Sequence, residues 1–510
     1  MDKKIKIISF IGLIIIFSII LSSAIFADAI IDSSNNKGKL TLNGETKQIN
    51  EGKYYTNQSN TNTLLLMNGG KLDASSLQII KEGSSESKTN SSNTLDKSPN
   101  DKGEGKASQA PPDNGTNPTS DGVPSGNAGG SSPGDVPPSG GESSGSAPPE
   151  NGGESASEDS EFYGTNSAVL TLYDSNATIF DSQITTNANG ANAIFATNND
   201  SSHKGAIISL KNVEIQTYQD KSRGLDATYG GIINAENVQI NTRGGSCAAV
   251  ATDRGEGIVN VDGSTLNTGV DGGTGAGSPC IYSTGNITVK KSKGTANNAQ
   301  IACIEGKNSI DIKNSEFTCS GKGNRESNGQ YVDLAGIFIY QSMSGDADEG
   351  TAQFNANNAK LSISSSSKYY DTAPMFHVTN TASNISISDT TLEFGSNILL
   401  NVSAQDQWGD TGSNGGDVQF KSTNEELKGN IFVDNISSLK FNLKNTLLKG
   451  AINPQNNYGD TNLTIESDAQ WTLTGNSHLT NLTNKGTIDY GAYTLYVNGK
   501  AYNASNPYKG

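Results

Sequence analysis

Arg223 with Asp226, then Asp253, Arg254 and Glu256, then Glu305 and Lys307, fall at nearly equivalent offsets in nearby units of this chain. A pair of carboxylates held about 5–10 Å apart would suit glycoside hydrolysis. The chain departs from hydrolase patterns, however. It contains no adjacent Asp-Asp pair, no Gly-His-Gly and no Arg-x-Lys, and His203, His377 and His478 lie away from the charged residues. Opposite charges on neighbouring units are more simply cross-strand ion pairs. The cluster is therefore read first as structural, second as a ligand surface and last as a catalytic centre.

Tyr340 and Trp408, with Tyr331, Tyr369 and Tyr370, lie in or beside the longer connecting segments, where exposed rings would stack on sugars. Cys280 and Cys303 head stretches that align without a gap, Cys280-Ile-Tyr-Ser-Thr-Gly-Asn-Ile287 on Cys303-Ile-Glu-Gly-Lys-Asn-Ser-Ile310. Stacked units would bring them within disulfide reach, and two buried free thiols are the equal alternative. Cys247 and Cys319 have no evident partner, and no Cys/His spacing fits a metal. No cofactor is expected.

The elements that must position these residues repeat. Gly231-Ile-Ile-Asn-Ala-Glu-Asn-Val-Gln-Ile-Asn-Thr242 matches Gly257-Ile-Val-Asn-Val-Asp-Gly-Ser-Thr-Leu-Asn-Thr268 without a gap. The design recurs at 206–215, 309–317, 383–392, 438–447 and 462–465. Apolar and polar residues alternate in short strands broken at Asn, Asp or Gly, which predicts strands with one buried face. Units with two or three such strands are coils of a parallel β-solenoid. The fold class expected is all-β, a parallel β-helix of about twelve coils over 161–500, right-handed in the proteins that the repeats resemble. The rival β-sandwich would not need gapless register between units. Asn-rich corners predict stacked amide ladders, and the longer units near 321–334 and 405–417 predict projecting loops.

Of 510 residues only 6% are aromatic and 17% charged, which excludes a thick globular core, and the net charge of −16 argues against a nucleic-acid partner. Lys3, Lys4 and Lys6 precede an apolar run from Ile7 to about Phe26, and Ala27-Asp28-Ala29 offers a cleavage site. Residues 1–29 thus read as an export signal or an N-terminal anchor, the latter being the only expected membrane contact. Residues 30–81 read as the first coil or coils. The Ser/Gly/Pro-rich stretch 82–160 reads as a disordered insertion or linker, and 501–510 as a short tail.

The stretches Ser160-Glu-Phe-Tyr-Gly-Thr-Asn166, Ser222-Arg-Gly-Leu-Asp-Ala-Thr-Tyr-Gly-Gly231, Ala251-Thr-Asp-Arg-Gly-Glu-Gly257, Ile304-Glu-Gly-Lys-Asn-Ser-Ile310 and Tyr340-Gln-Ser-Met-Ser-Gly-Asp-Ala347 resemble a family of secreted, adhesin-like β-helix proteins of anaerobic bacteria. These fall within the broad pectate-lyase-like group. The resemblance covers about 161–500 and implies the fold and a surface role. The function expected is that of an exported, non-enzymatic surface protein binding glycans or proteins of a host or cell surface. A polysaccharide lyase or glycoside hydrolase is the alternative.

Overall fold

Alternation in the sequence becomes a stack of coils. The computed structural model describes residues 37–85, 158–198, 205–321 and 335–509. The export signal, His203, Tyr331, the 322–334 loop and nearly all of the 82–160 stretch lie outside the described residues.

Each coil gives one short strand to a twelve-stranded parallel sheet that runs from Gly38–Asn43 to Asn430–Val433. The rest of the coil forms a second, bent sheet whose strands also pair in parallel, coil on coil. There Ile207 pairs with Ile232 and Ile232 with Ile258, so the matched segments 231–242 and 257–268 are stacked in register. This is the parallel β-helix that the repeats predict. Ile431 and Ile452 carry the stack onward by an isolated bridge. Its end is closed by Lys500–Tyr502, which pairs antiparallel with Leu495–Val497. Residues 501–509 therefore belong to a cap rather than a free tail, with Tyr502 and Tyr508 packed on the core.

The core is a column of inward side chains, one or two per strand. Ile, Val and Leu fill the early coils. Later coils use rings: Phe354, Phe376, Phe420 and Phe441 follow one another at centroid separations of 5.8, 5.5 and 4.9 Å. Few aromatics suffice because each coil needs only a thin cross-section filled.

The bend in the second sheet is made by one left-handed residue per coil, among them Asp181, Asn212, Asn237, Asn314, Asn358, Asp389, Asn424 and Asn445. Asn and Asp tolerate this conformation better than other side chains. Their side chains also bond from coil to coil: Asn237 donates to Asn212 at 2.7 Å, Asn358 to Asn314 at 2.8 Å and Asn445 to Asn424 at 2.8 Å. The expected amide ladder is present, but Gly263 and Lys291 interrupt it at φ of 62° and 47°. A Cβ on Gly263 meets nothing within 4 Å. Gly263 at positive φ is strained by any side chain even so, but Lys291→Asn should extend the ladder beside Asn314 and raise stability by about 0.5–1 kcal/mol through an added hydrogen bond and a side chain suited to this conformation. Chemical denaturation would measure it, and a lowered midpoint would mean that the ladder contributes nothing there.

Candidate functional site

The inner strands of the twelve-stranded sheet, from Asn62–Met67 to Phe376–Thr379, are buried on both faces. Inward residues such as Leu225 and Ala227 join the main core. Between them the outward residues form a second column: Leu65, Leu170, Phe195, Asp226, Ala251, Tyr282, Cys303, Phe338 and His377 are successive register partners. The early coils and the middle of this column are covered from outside by the segment around 160–168. Its Gly164 carbonyl accepts from Asn62 (2.8 Å) and its Phe162 carbonyl from Thr228 (2.9 Å).

In the middle of that column sits the charged cluster. Arg223 stands just before the strand Leu225–Thr228, whose Asp226 points outward, and Asp253 follows the strand Val250–Thr252. Arg223 Nη2 lies 2.7 Å from Asp253 Oδ2, and its Nε lies 3.6 Å from Asp226 Oδ2. The contact to Asp253 is an ion pair outside hydrogen-bond geometry, so that oxygen, both Asp226 oxygens and Arg223 Nη1 are buried without a hydrogen bond. Asp226 is 0% exposed and Asp253 2%. Burial raises both carboxyls against the pull of Arg223, Asp253 to about 7 and Asp226 well above the carboxylate range. Burial opposes the Arg223 charge as well, but Asp253, Asp226 and Glu161 outweigh it and hold the guanidinium protonated.

Glu305, 1% exposed, faces the same cover. Tyr282 donates to its Oε2 at 2.6 Å and Tyr340 at 3.0 Å, while the Ser342 hydroxyl donates to Oε1. These bonds tie the segment after Tyr340 down like a strap. Arg254 Nε reaches Asp346 Oδ1 on that strap at 2.6 Å, and its guanidinium lies 3.7 Å from the centroid of the Phe162 ring. Lys307 clasps Glu256 at 2.5 Å and Asp348 at 2.9 Å at the exposed rim. What space remains beside Arg223, Tyr282, Gln300, Cys303 and Tyr340 is about 30 Å³. Such a cavity accommodates water rather than a sugar.

The structure thus gathers Arg223, Asp226, Asp253 and Glu305 on one face, and places Arg254, Glu256 and Lys307 at its edge. Glu305 and Lys307 take different partners, Tyr282, Tyr340 and Ser342 for the first and Glu256 and Asp348 for the second. Nor do Tyr340 and Trp408 form a surface, being 1% and 0% exposed, while Tyr369 and Tyr370 are half-buried. Segment 405–417, expected to project, folds back so that Trp408 packs on Tyr340 with centroids 4.8 Å apart. The apolar outward row gives these rings somewhere to go.

The Cys280–Cys303 disulfide is corrected too, since all four cysteines are free and buried. Ile281 pairs with Ala302, so Cys303 lies beside Tyr282 and faces the cover, while Cys280 faces the core. The alignment slips because the corner at Gly306-Lys307-Asn308 is two residues longer than its neighbour at Gly285. Ile287 and Ile310 beyond it remain in register. Sequence reasoning missed Glu161, Tyr282, Ser342 and Asp346 as members of the cluster. All four stand in stretches quoted above, Ser160–Asn166, Cys280–Ile287 and Tyr340–Ala347, without being singled out there. No family model matches this chain, and no curated protein matches it.

Proposed function

We propose that the protein is an exported, non-enzymatic β-helix that displays its sheet faces for adhesion, binding glycans along an open trough. One observation carries this reading. The carboxylates able to do chemistry are closed beneath their cover, whereas a shallow trough of about 570 Å³ lies open on the bent sheet. Its floor is a register row of Thr178, Ser209, Asn234, Asn260 and Thr288, with the Phe180 ring at one end. The row presents a hydrogen-bonding side chain about every 4.8 Å. That regular spacing suits a linear, hydroxyl-rich polymer laid along the coil axis, and one ring offers a stacking face.

Affinity electrophoresis of the full chain through gels holding neutral glycans tests the proposal. Retardation by at least one glycan, weakened about tenfold or more in Asn234→Ala with Asn260→Ala, is the expected result, the loss of two direct contacts being of that order. Unchanged retardation in the variant, or none with any glycan, overturns it. A second reading rests on Asp253, a carboxyl raised to about 7 and so poised as a general acid beside Arg223. Release of reducing or unsaturated sugar that disappears in Asp253→Asn would establish that reading instead.

A further inference from the structure

Some lysines of the stack are tied to carboxylates. Lys211 pairs with Glu236 at 2.8 Å, Lys313 with Asp311 at 2.5 Å, and Lys360 with Glu393 at 3.0 Å. The coils carrying Asp417–Thr423 and Ser438–Lys444 gather several lysines that are not so tied. Lys421, Lys440 and Lys444 all project from these two strands and are exposed. Register places Lys421 beside Asn442, with Lys440 and Lys444 two residues to either side. Round the left-handed corner, Lys428 and Lys449 are direct register partners, also exposed.

Lys428 reaches Glu426 at 3.0 Å. The other four lysines have no carboxylate within ion-pair distance among the described residues. The nearest acidic corner, Glu466, is engaged by Lys485 at 3.1 Å and by Asn442 at 3.4 Å. Five exposed lysines on two coils, set against Asp417 and Glu426 on the same strands, leave a local positive face in a chain of net charge −16. Like charges directly opposite in a sheet repel, so the Lys428–Lys449 pair stands at a cost that an external anion between them would relieve.

We infer that this face is a docking surface for a linear anionic polysaccharide. Lys421 stands on a diagonal about 7–8 Å from Lys440 and from Lys444, a spread that suits several anions along a polymer better than a single small anion. The face has no arginine, whose planar fork is the group suited to bidentate phosphate recognition, and no exposed aromatic ring on which a base would stack. Gln419, Thr423 and Asn442 stand among the lysines and supply partners for sugar hydroxyls. Carboxylate and sulfate share the chemistry such a face reads, namely fixed anions at regular spacing along a glycan. This surface is distinct from the trough, and the inference extends the adhesive reading to a second ligand class.

The experiment is affinity electrophoresis of the full chain against a polyuronate, a sulfated glycan, a neutral glycan and single-stranded DNA. Lys421→Gln, Lys440→Gln and Lys444→Gln are combined in one variant, with the three Lys→Arg changes as a charge-keeping control. The wild type should be retarded by the polyuronate or the sulfated glycan, and the two arms tell which anion is read. Retardation should weaken about tenfold or more in the Gln variant, persist in the Arg variant, and vanish near 1 M salt, where the screening length is about 3 Å. The neutral glycan should separate the two variants from each other by nothing. No retardation by either anionic glycan overturns the inference, as does binding that the Gln variant keeps. Equal retardation by DNA overturns the assignment to a glycan. Failure of neutral-glycan binding alone strikes the trough and leaves this face standing. The three side chains are exposed and unbonded, so the melting midpoint of the Gln variant should stay at the wild-type value and exclude misfolding as the cause.

Discussion

Arg223→Met lowers folding stability by about 3–5 kcal/mol at pH 8, the range expected when one partner of a buried charge set is removed. The substitution keeps the aliphatic bulk, so the loss is electrostatic. Asp226 and Asp253 stay buried with no cation near, and each must take up a proton to remain there. The loss should therefore shrink markedly by pH 5. The wild type leans the same way. Both carboxyls are raised above their unfolded value, Asp253 to about 7. The stability linked to them is whole below about pH 4 and falls as pH climbs through 7. His377 works oppositely: burial lowers it to about 4, so stability falls as pH drops from about 6.5 through 4. Two raised carboxyls outweigh the one lowered imidazole, so stability should fall with pH from about 4 upward, and Asp253→Asn should flatten that limb. Urea midpoints across this pH range measure all of it. An Arg223→Met penalty equal at pH 5 and pH 8 would show that packing, not charge, is what the arginine supplies.

Trp408→Ala costs about 3–5 kcal/mol, as large-to-small changes at fully buried rings do. The ring fills the cover between Phe338, Tyr340 and Cys303, and its own carbonyl accepts from Asn414 at 2.8 Å. Its indole Nε1 is buried without a hydrogen bond. Trp408→Phe should accordingly cost much less than the alanine change, because it removes an unsatisfied donor along with some volume. A solenoid couples mainly to its neighbours, so hydrogen exchange should quicken first in the strap after Tyr340 and in the strand Ile337–Tyr340. If the Phe and Ala variants unfold alike, ring packing is not what Trp408 contributes.

Much of the coil is legible in the chain, and the reason is local. Each strand of the bent sheet has one wet face, so Ile233, Ala235 and Ile240 alternate visibly with polar neighbours, and the Asn corners announce the bend. The twelve-stranded sheet carries no such code. Its inner strands are buried on both faces, and Leu170, Phe195, Tyr282 and Phe338 read as ordinary strand residues until the register aligns them. The cover over them comes from distant segments whose packing depends on that column. For this reason the charges at Arg223, Asp226, Asp253 and Glu305 were found as a group, while their enclosure was not. The slip between Cys280 and Cys303 has a similar origin: a corner can lengthen by two residues on one side of a coil and leave the opposite strands in step.

Leu64, Leu65 and Leu66 pair directly with Val169, Leu170 and Thr171, and Lys71–Ser75 pairs with the strand that begins at Asn176. Two successive layers of the stack are thus joined across space, whatever the backbone does between residue 86 and residue 157. A nick in that stretch would produce two polypeptides still held by ladder hydrogen bonds and a shared apolar column. The molecule is in this sense already built as a split protein, whose short N-terminal piece and long C-terminal piece are suited to complement one another when made apart.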